Sequence, residues 1–185
     1  EPLPLDKRYF SNERESGVLE YTLNRELFTG LETFGNRENL DIQDILRTSF
    51  GYLLFEISNR SLIRYYVTLN EKQIISIGHN YDEIDSIKEL LQASRGQFLN
   101  PGGIHPVDRF MKAGVNPGSY QVLSLYSHGL NMEFDNTDLH LQAEEKNGGV
   151  EIVLRYSSRM AAAEMKRLPG LYTAILEEMI KIDGE

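Results

Sequence analysis

Apolar and polar residues alternate along two segments near the carboxy-terminal end of the chain. Residues 138–144 and 150–156 each carry an apolar side chain at every second position, which is the period of a sheet with one buried face. Residues 145–149, which join them, are Glu-Lys-Asn-Gly-Gly. Because Asn-Gly and Gly-Gly tolerate positive φ, the pattern predicts an antiparallel hairpin whose loop is somewhat longer than two residues.

After Ser158 the apolar residues follow a helical period instead. They recur at three- and four-residue steps at Leu168, Leu171, Tyr172, Ile175, Leu176, Met179 and Ile180. Such a stripe predicts a helix lying across the buried face of the hairpin, with Leu171, Ile175 and Met179 toward the core. A proline inside a helix costs about 3 kcal/mol, so Pro169 predicts a kink or a restart.

The earlier part of the chain alternates predicted strands and helices. Helix caps are expected at Asn24, with its helix ending at Gly35 or Asn36, and at Asp41. Gly51 costs about 1 kcal/mol relative to alanine inside a helix, which predicts close packing against a neighbour. Strands are predicted at 17–23, 63–69, 73–77 and 119–126, and helices at 42–57, at 82–93 and, as a short segment, from Pro106.

These elements predict one domain, 1–185, with an α/β architecture. The expected fold is an α+β two-layer sandwich, in which helices lie mainly on one face of a mixed sheet. The sheet is not expected to be wholly parallel, because the predicted hairpin is antiparallel. Residues 1–16 begin with prolines at positions 2 and 4. Proline pushes its predecessor toward extended geometry, so this segment is predicted to be an extended linker arm.

Composition excludes several classes of function. The net charge is −9, with 28 acidic and 19 basic residues, which disfavours nucleic acid and other acidic partners. The chain has no cysteine, and this excludes disulfides, cysteine-bound zinc and a thiol nucleophile and suits a reducing cytoplasm. No apolar run approaches the roughly 20 residues of a membrane helix, so no membrane association is expected.

The histidines carry no recognisable catalytic or metal-binding pattern. His79, His105, His128 and His140 are scattered, without paired-ligand spacing, and are predicted to be surface or loop residues. His140 is assigned to the polar face of its strand. Asp82, Glu83 and Asp85 are interpreted as charges at a helix start rather than as metal ligands. The sequence therefore predicts no catalytic residue, no metal and no cofactor of its own.

Four stretches in order resemble one protein family. They are residues 3–8 (Leu-Pro-Leu-Asp-Lys-Arg), the 42–57 helix, residues 116–122 (Asn-Pro-Gly-Ser-Tyr-Gln-Val), and residues 137–172 with their hairpin and closing helix. This arrangement resembles the carboxy-terminal lobe of the condensation domains of nonribosomal peptide synthetases. Those domains belong to the chloramphenicol-acetyltransferase-like superfamily, with the related epimerization and cyclization domains. One departure is residues 77–82, where the family has Gly-x-Phe-Val-Asn-Thr.

The resemblance implies a lobe without the catalytic group. The family's His-His-x-x-x-Asp-Gly motif belongs to the amino-terminal lobe, and the chain contains no adjacent histidine pair. This lobe would form one wall of the tunnel in which carrier-bound thioesters are joined by amide-bond formation, as in peptide antibiotic biosynthesis by a ligase-like assembly. Gln121, Tyr120 and Ser124 are the implied tunnel residues. The implied partners are the amino-terminal lobe and a peptidyl carrier protein that presents phosphopantetheine-bound substrates.

Two other functions remain open at this stage. A stand-alone descendant of such a lobe could instead bind a carrier protein, a hydrophobic ligand or its own copy. A free-standing enzyme of another class is the third reading. For a lobe separated from its partner we expect an exposed apolar patch near Tyr120, Val122 and Leu125, or self-association that covers it. We also expect the isolated chain to be inactive in peptide-bond formation.

Overall fold

The computed structural model describes residues 3–12, 15–107, 121–129 and 137–181. Its strands are β1 (Leu3–Pro4), β2 (Gly17–Thr22), β3 (Leu62–Thr68), β4 (Gln73–Asn80), β5 (Ile104–Pro106), β6 (Gln121–Val122), β7 (Ser124–His128), β8 (Leu139–Lys146) and β9 (Gly149–Tyr156). Its helices are α1 (Arg25–Glu38), α2 (Ile42–Ser58), α3 (Ile87–Leu99), α4 (Ala162–Met165) and α5 (Leu168–Lys181).

Seven of these strands form one mixed sheet in the order β2-β9-β8-β7-β3-β4-β5. The pairs β3–β7 and β7–β8 are parallel, whereas β2–β9, β8–β9, β3–β4 and β4–β5 are antiparallel. The main core joins α1, α2, α3 and α5 to one face of this sheet, which we call the helix side. The opposite side of the sheet carries a small apolar cluster of Ile74, Val107, Leu123 and Leu125. The predicted mixed sheet with helices mainly on one face is confirmed.

The predicted hairpin is present as β8 and β9. Lys146 pairs with Gly149, so the loop contains only Asn147 and Gly148, with φ of 51° and 73°. Two successive positive φ values are those of a type I′ turn, which matches the twist of the flanking strands. The prediction of a longer loop was wrong because the two Asn-Gly residues make the turn alone.

The longest helix, α2, has the cap and the close packing that its sequence predicts. Asp41 caps it: the Asp41 carboxylate accepts from the Gln43 N–H at 2.8 Å, and Asp44 accepts from the Asp41 N–H at 2.9 Å. A Cβ added at Gly51 would lie 2.6 Å from the Tyr65 ring, so the glycine lets β3 approach α2. The predicted close packing is confirmed.

Several helix boundaries differ from their predictions. Helix α1 continues to Glu38 because Asn39 takes the left-handed conformation, φ 56°, that ends it. Helix α3 begins at Ile87, capped by Ser86, because residues 81–83 form a 3₁₀ turn instead of a first helical turn. Pro106 ends β5, and the rest of the short helix expected after it lies outside the described residues, as does the start of the strand predicted from 119.

At the carboxy-terminal end, Pro169 lies in the first turn of α5. Backbone N–H groups there have no acceptor within the helix, so the proline, which has no N–H, costs no helical hydrogen bond. The predicted restart at Pro169 is confirmed, because α5 begins at Leu168 after the separate short helix α4. Met179 and Ile175 are buried as predicted, whereas Leu171 is half-buried.

The amino-terminal arm is part of the folded structure. β1 pairs with β6, so that Leu3 lies opposite Val122 and Pro4 opposite Gln121. Leu3 and Leu5 are only 3% and 6% exposed. Leu3 and Pro4 are extended as predicted, whereas Lys7–Tyr9 form a 3₁₀ turn. The linker assignment was wrong for residues 3–12, because apolar side chains of this segment enter the main core.

Candidate functional site

The predicted tunnel residues lie around the junction of β6 and β7. Gln121 is exposed, and its carbonyl oxygen accepts a hydrogen bond from Arg159 Nη2 at 3.0 Å. Ser124 is 3% exposed, and its hydroxyl has no hydrogen-bond partner among the described residues. Tyr120 lies outside the described residues. The structure therefore brings Gln121 and Ser124 to one short segment, with the first at the surface and the second inside.

A buried ionic cluster fixes this junction. Asp138, 4% exposed, accepts hydrogen bonds from the Leu123 N–H at 3.0 Å, Ser157 Oγ at 2.7 Å and Arg159 Nη1 at 3.2 Å. The same Arg159 guanidinium holds the Gln121 carbonyl. Because one carboxylate ties the start of β8 to the β6–β7 connection and to the residues after β9, the position of Gln121 is set by buried polar contacts.

A second buried polar cluster lies between α2 and the sheet. Arg47, 5% exposed, forms an ion pair with Asp44, and its guanidinium carbon lies 3.7 Å from the centre of the Phe98 ring. Tyr126 donates to Gln43 Oε1 at 2.5 Å. A cavity of about 190 Å³ is lined by Arg47, Phe98, Tyr126 and also His128. Such paired charges are tolerated in a core because each has a partner and an aromatic cover.

His140 lies inside the protein rather than on a polar surface. It is fully buried, and its Nε2 is 2.6 Å from Ser127 Oγ. Burial first, and then the charge of Arg155, lower the pKa of His140 to about 3. Its assignment as a surface residue was wrong, because the side of the central strands opposite the helix side is buried at this position as well. His140 is therefore neutral at physiological pH.

His79 is also buried, at 6% exposed, and burial lowers its pKa. Its prediction as a surface or loop residue was wrong too, because β4 extends through His79 and places the side chain on the helix side, opposite Ile63. Its Nδ1 lies 3.4 Å from Gln97 Nε2. His128 is exposed at the end of β7, and His105 is half-buried in β5.

The exposed apolar residues are not where the sequence predicted them. Val122 and Leu125 are fully buried, so that part of the predicted patch was wrong: both side chains belong to packed strands in the centre of the molecule. The large apolar side chains that the described residues do expose are Val18, Leu62, Leu99 and Ile104. Leu62 begins β3, Leu99 ends α3 and Ile104 begins β5.

The described residues contain no group of three or more His, Asp or Glu side chains that could hold a metal ion. Within the same ranges, no helix combines the length and apolar character needed to cross a membrane.

Sequence reasoning missed the Arg47–Asp44 cluster and the Asp138 cluster. Helical periodicity identifies the apolar stripe of α2 but carries no information on whether Tyr126, 83 residues away from Gln43, covers the polar side. A local signal existed for the second cluster, since Asp138 opens the Asp-Leu segment that the family resemblance singled out.

Solved structures share this fold, although no family model and no curated protein matches the sequence. The cyclization-docking bidomain of the EpoB nonribosomal peptide synthetase from Sorangium cellulosum matches 100% of this chain and 46% of its own, with a TM-score of 0.76 and 11% identity. The epimerization domain from the third module of tyrocidine synthetase B matches 97% of this chain and 51% of its own, with a TM-score of 0.66 and 11% identity.

A third structure is the condensation domain of the monacolin K polyketide synthase MokA, which matches 96% of this chain and 50% of its own, with a TM-score of 0.70 and 9% identity. This chain thus spans about half the length of these solved chains. At such identities the likeness establishes the fold alone. The chain therefore has the fold of about half of a condensation, epimerization or cyclization domain, as the sequence resemblance predicted.

Proposed function

We propose that this chain acts as the carboxy-terminal, non-catalytic lobe of a nonribosomal peptide synthetase condensation domain. It forms one wall of the tunnel in which two carrier-bound thioesters meet and are joined by an amide bond. The catalytic histidine motif is supplied by the amino-terminal lobe, and the substrates arrive on the phosphopantetheine arm of a peptidyl carrier protein.

The observation that carries this proposal is the share of each solved chain that this chain matches. Nearly the whole chain superposes on about half of each condensation, epimerization or cyclization structure. His140 agrees with it: the side chain is fully buried and its pKa is lowered to about 3, so it is not placed to take a proton from a substrate at the surface.

The contribution of such a lobe is positional. Holding two reactants in the right geometry converts a bimolecular step into an effectively unimolecular one. In this proposal the Asp138 cluster fixes the β6–β7 junction, and the exposed Gln121 side chain meets the substrate side of the tunnel. Tyr120, its neighbour in the sequence, is proposed for the same wall, whereas Ser124 is buried and supports the segment from inside.

The test combines this chain with a histidine-bearing amino-terminal lobe of the family and measures complex formation by calorimetry and product formation by mass spectrometry. Gln121→Ala is expected to reduce product formation about tenfold or more while complex formation is retained. Gln92→Ala, an exposed glutamine on α3, is the matched control and should leave both unchanged. Absence of any complex, or equal effects of the two variants, would contradict the proposal.

A further inference from the structure

The outer edge of β4 is only partly covered by another strand. β5 pairs with Gln73, Ile74 and Ile75, and beyond Ile75 no described strand continues the sheet on that side. Backbone N–H and C=O groups at an open edge form a template for an added strand. The rest of this edge, 76–80, borders a cleft of about 620 Å³, which we call the β4 edge cleft.

A side-chain amide occupies the place of the missing strand. Gln97 Oε1 accepts from the Gly78 N–H at 2.9 Å, and Gln97 Nε2 donates to the Gly78 carbonyl at 2.7 Å. An amide that pairs with both groups of one residue reproduces the two hydrogen bonds that a neighbouring strand makes there. Gln97 is thus a removable substitute for one residue of a strand.

The two sides of the edge differ in chemistry. On the side opposite the helix side, the Arg64 side chain crosses Gly78, because a Cβ placed there would be 3.0 Å from Arg64 Cγ. His105, which pairs with Ile74, lies on the same side as Arg64. On the helix side, Ile104 lies opposite the core residue Ile75 and is 49% exposed, and Leu99 at the end of α3 is 62% exposed.

The charge of the cleft lining differs from that of the chain as a whole. Acidic residues outnumber basic ones 28 to 19 in the chain, yet the described residues that line the cleft include the exposed Arg64 and no Asp or Glu. A carboxylate placed opposite Gly78 would meet the Arg64 guanidinium, the strongest hydrogen-bonding cation for that group. The edge therefore complements an acidic partner.

We propose that the β4 edge cleft binds an extended, acidic peptide segment of a partner protein by adding it as a strand to β4. The segment alternates carboxylate side chains toward Arg64 with apolar side chains on the helix side, where Ile104 of β5 is exposed, because successive side chains of a strand point to opposite faces. Main-chain bonds to Gly78 replace those of Gln97. This mode of recognition takes its affinity from the backbone and its specificity from the alternating side chains.

The test titrates the chain with a capped heptapeptide of alternating Val and Glu and follows the backbone amide signals by NMR. Saturable shifts are expected at Gly78 and Asn80. The same peptide with Lys in place of Glu, and a version N-methylated along one edge, should both bind at least about tenfold more weakly. Shifts elsewhere, no saturable shift, or equal binding by either control peptide would overturn the proposal.

Two variants separate the roles of charge and backbone. Arg64→Gln should weaken the acidic peptide about two- to fivefold, as for an exposed ion pair. Gln97→Ala should tighten it about two- to tenfold, because the Gly78 groups no longer have an internal partner to lose. Gln92→Ala on the same helix is the control and should change nothing. Weaker binding by Gln97→Ala in a folded protein would contradict the replacement mechanism; if that variant fails to fold, the wild-type peptide titrations decide.

Discussion

The buried His140 should make the fold sensitive to acid in a measurable way. Its pKa is about 3 in the folded protein, against an ordinary value of 6.5. The unfolded state therefore binds a proton as the pH falls through 6.5, whereas the folded state does not until about pH 3. Over that window the stability attributable to neutral His140 is lost as the pH falls, with a limiting slope of about 1.4 kcal/mol per pH unit.

The magnitude can be isolated with one variant. Between pH 7 and pH 5 the unfolded-state protonation of one histidine contributes about 2 kcal/mol to the loss of stability. His140→Gln keeps a group able to hydrogen-bond Ser127 but removes the titration. Urea unfolding at both pH values should show that wild-type stability falls by about 2 kcal/mol more than that of His140→Gln. Equal losses in the two proteins would refute the assignment of His140 as a buried neutral group.

Other predictions concern packing and the buried polar contacts. Leu154→Ala should lower the free energy of unfolding by about 2–5 kcal/mol, because the side chain is 2% exposed on the helix side. Glu151→Ala removes only a surface contact to Lys146 and should lower it by about 0–1 kcal/mol. Similar costs in chemical unfolding would contradict the assigned faces. Asp138→Ala should cost about 3–5 kcal/mol because it removes a buried carboxylate and leaves partly buried Arg159 and the Leu123 N–H without this acceptor. Asp6→Ala, at an exposed acidic residue, is its control. A thermal shift no larger than that of the control would show that the cluster does not hold the β6–β7 junction.

Local features of this fold could be predicted because their causes are local. Asn147-Gly148 determines the turn between β8 and β9, and Asp41 determines the start of α2, in each case through contacts a few residues apart. The same reasoning predicted too long a loop, since it allowed all five connecting residues to lie outside the strands. It also started α3 too early, since charges at 82–85 resemble a first helical turn.

The errors share a different origin, which is burial by distant residues. Alternation in β8 indicates which side of the strand is apolar, but it does not show that the polar side is covered as well, so His140 was assigned to the surface. Leu3 and Leu5 have no local pattern that reveals their pairing with β6 or their burial. Val122 and Leu125 were expected to be exposed because a lobe separated from its partner should leave an apolar patch, but distant residues bury both. The proposed tunnel residues are indicated only by family resemblance, because a tunnel wall leaves no pattern in the sequence of one chain.

The division of labour between the two lobes is the central claim, and product formation tests it most directly. Carrier-bound donor and acceptor thioesters are incubated with this chain, with a histidine-bearing amino-terminal lobe, and with both, and the amide product is quantified by mass spectrometry. We expect background product from each lobe alone and a large increase when the two are combined. Robust turnover by this chain alone, abolished by replacing one of its own histidines, would contradict the account.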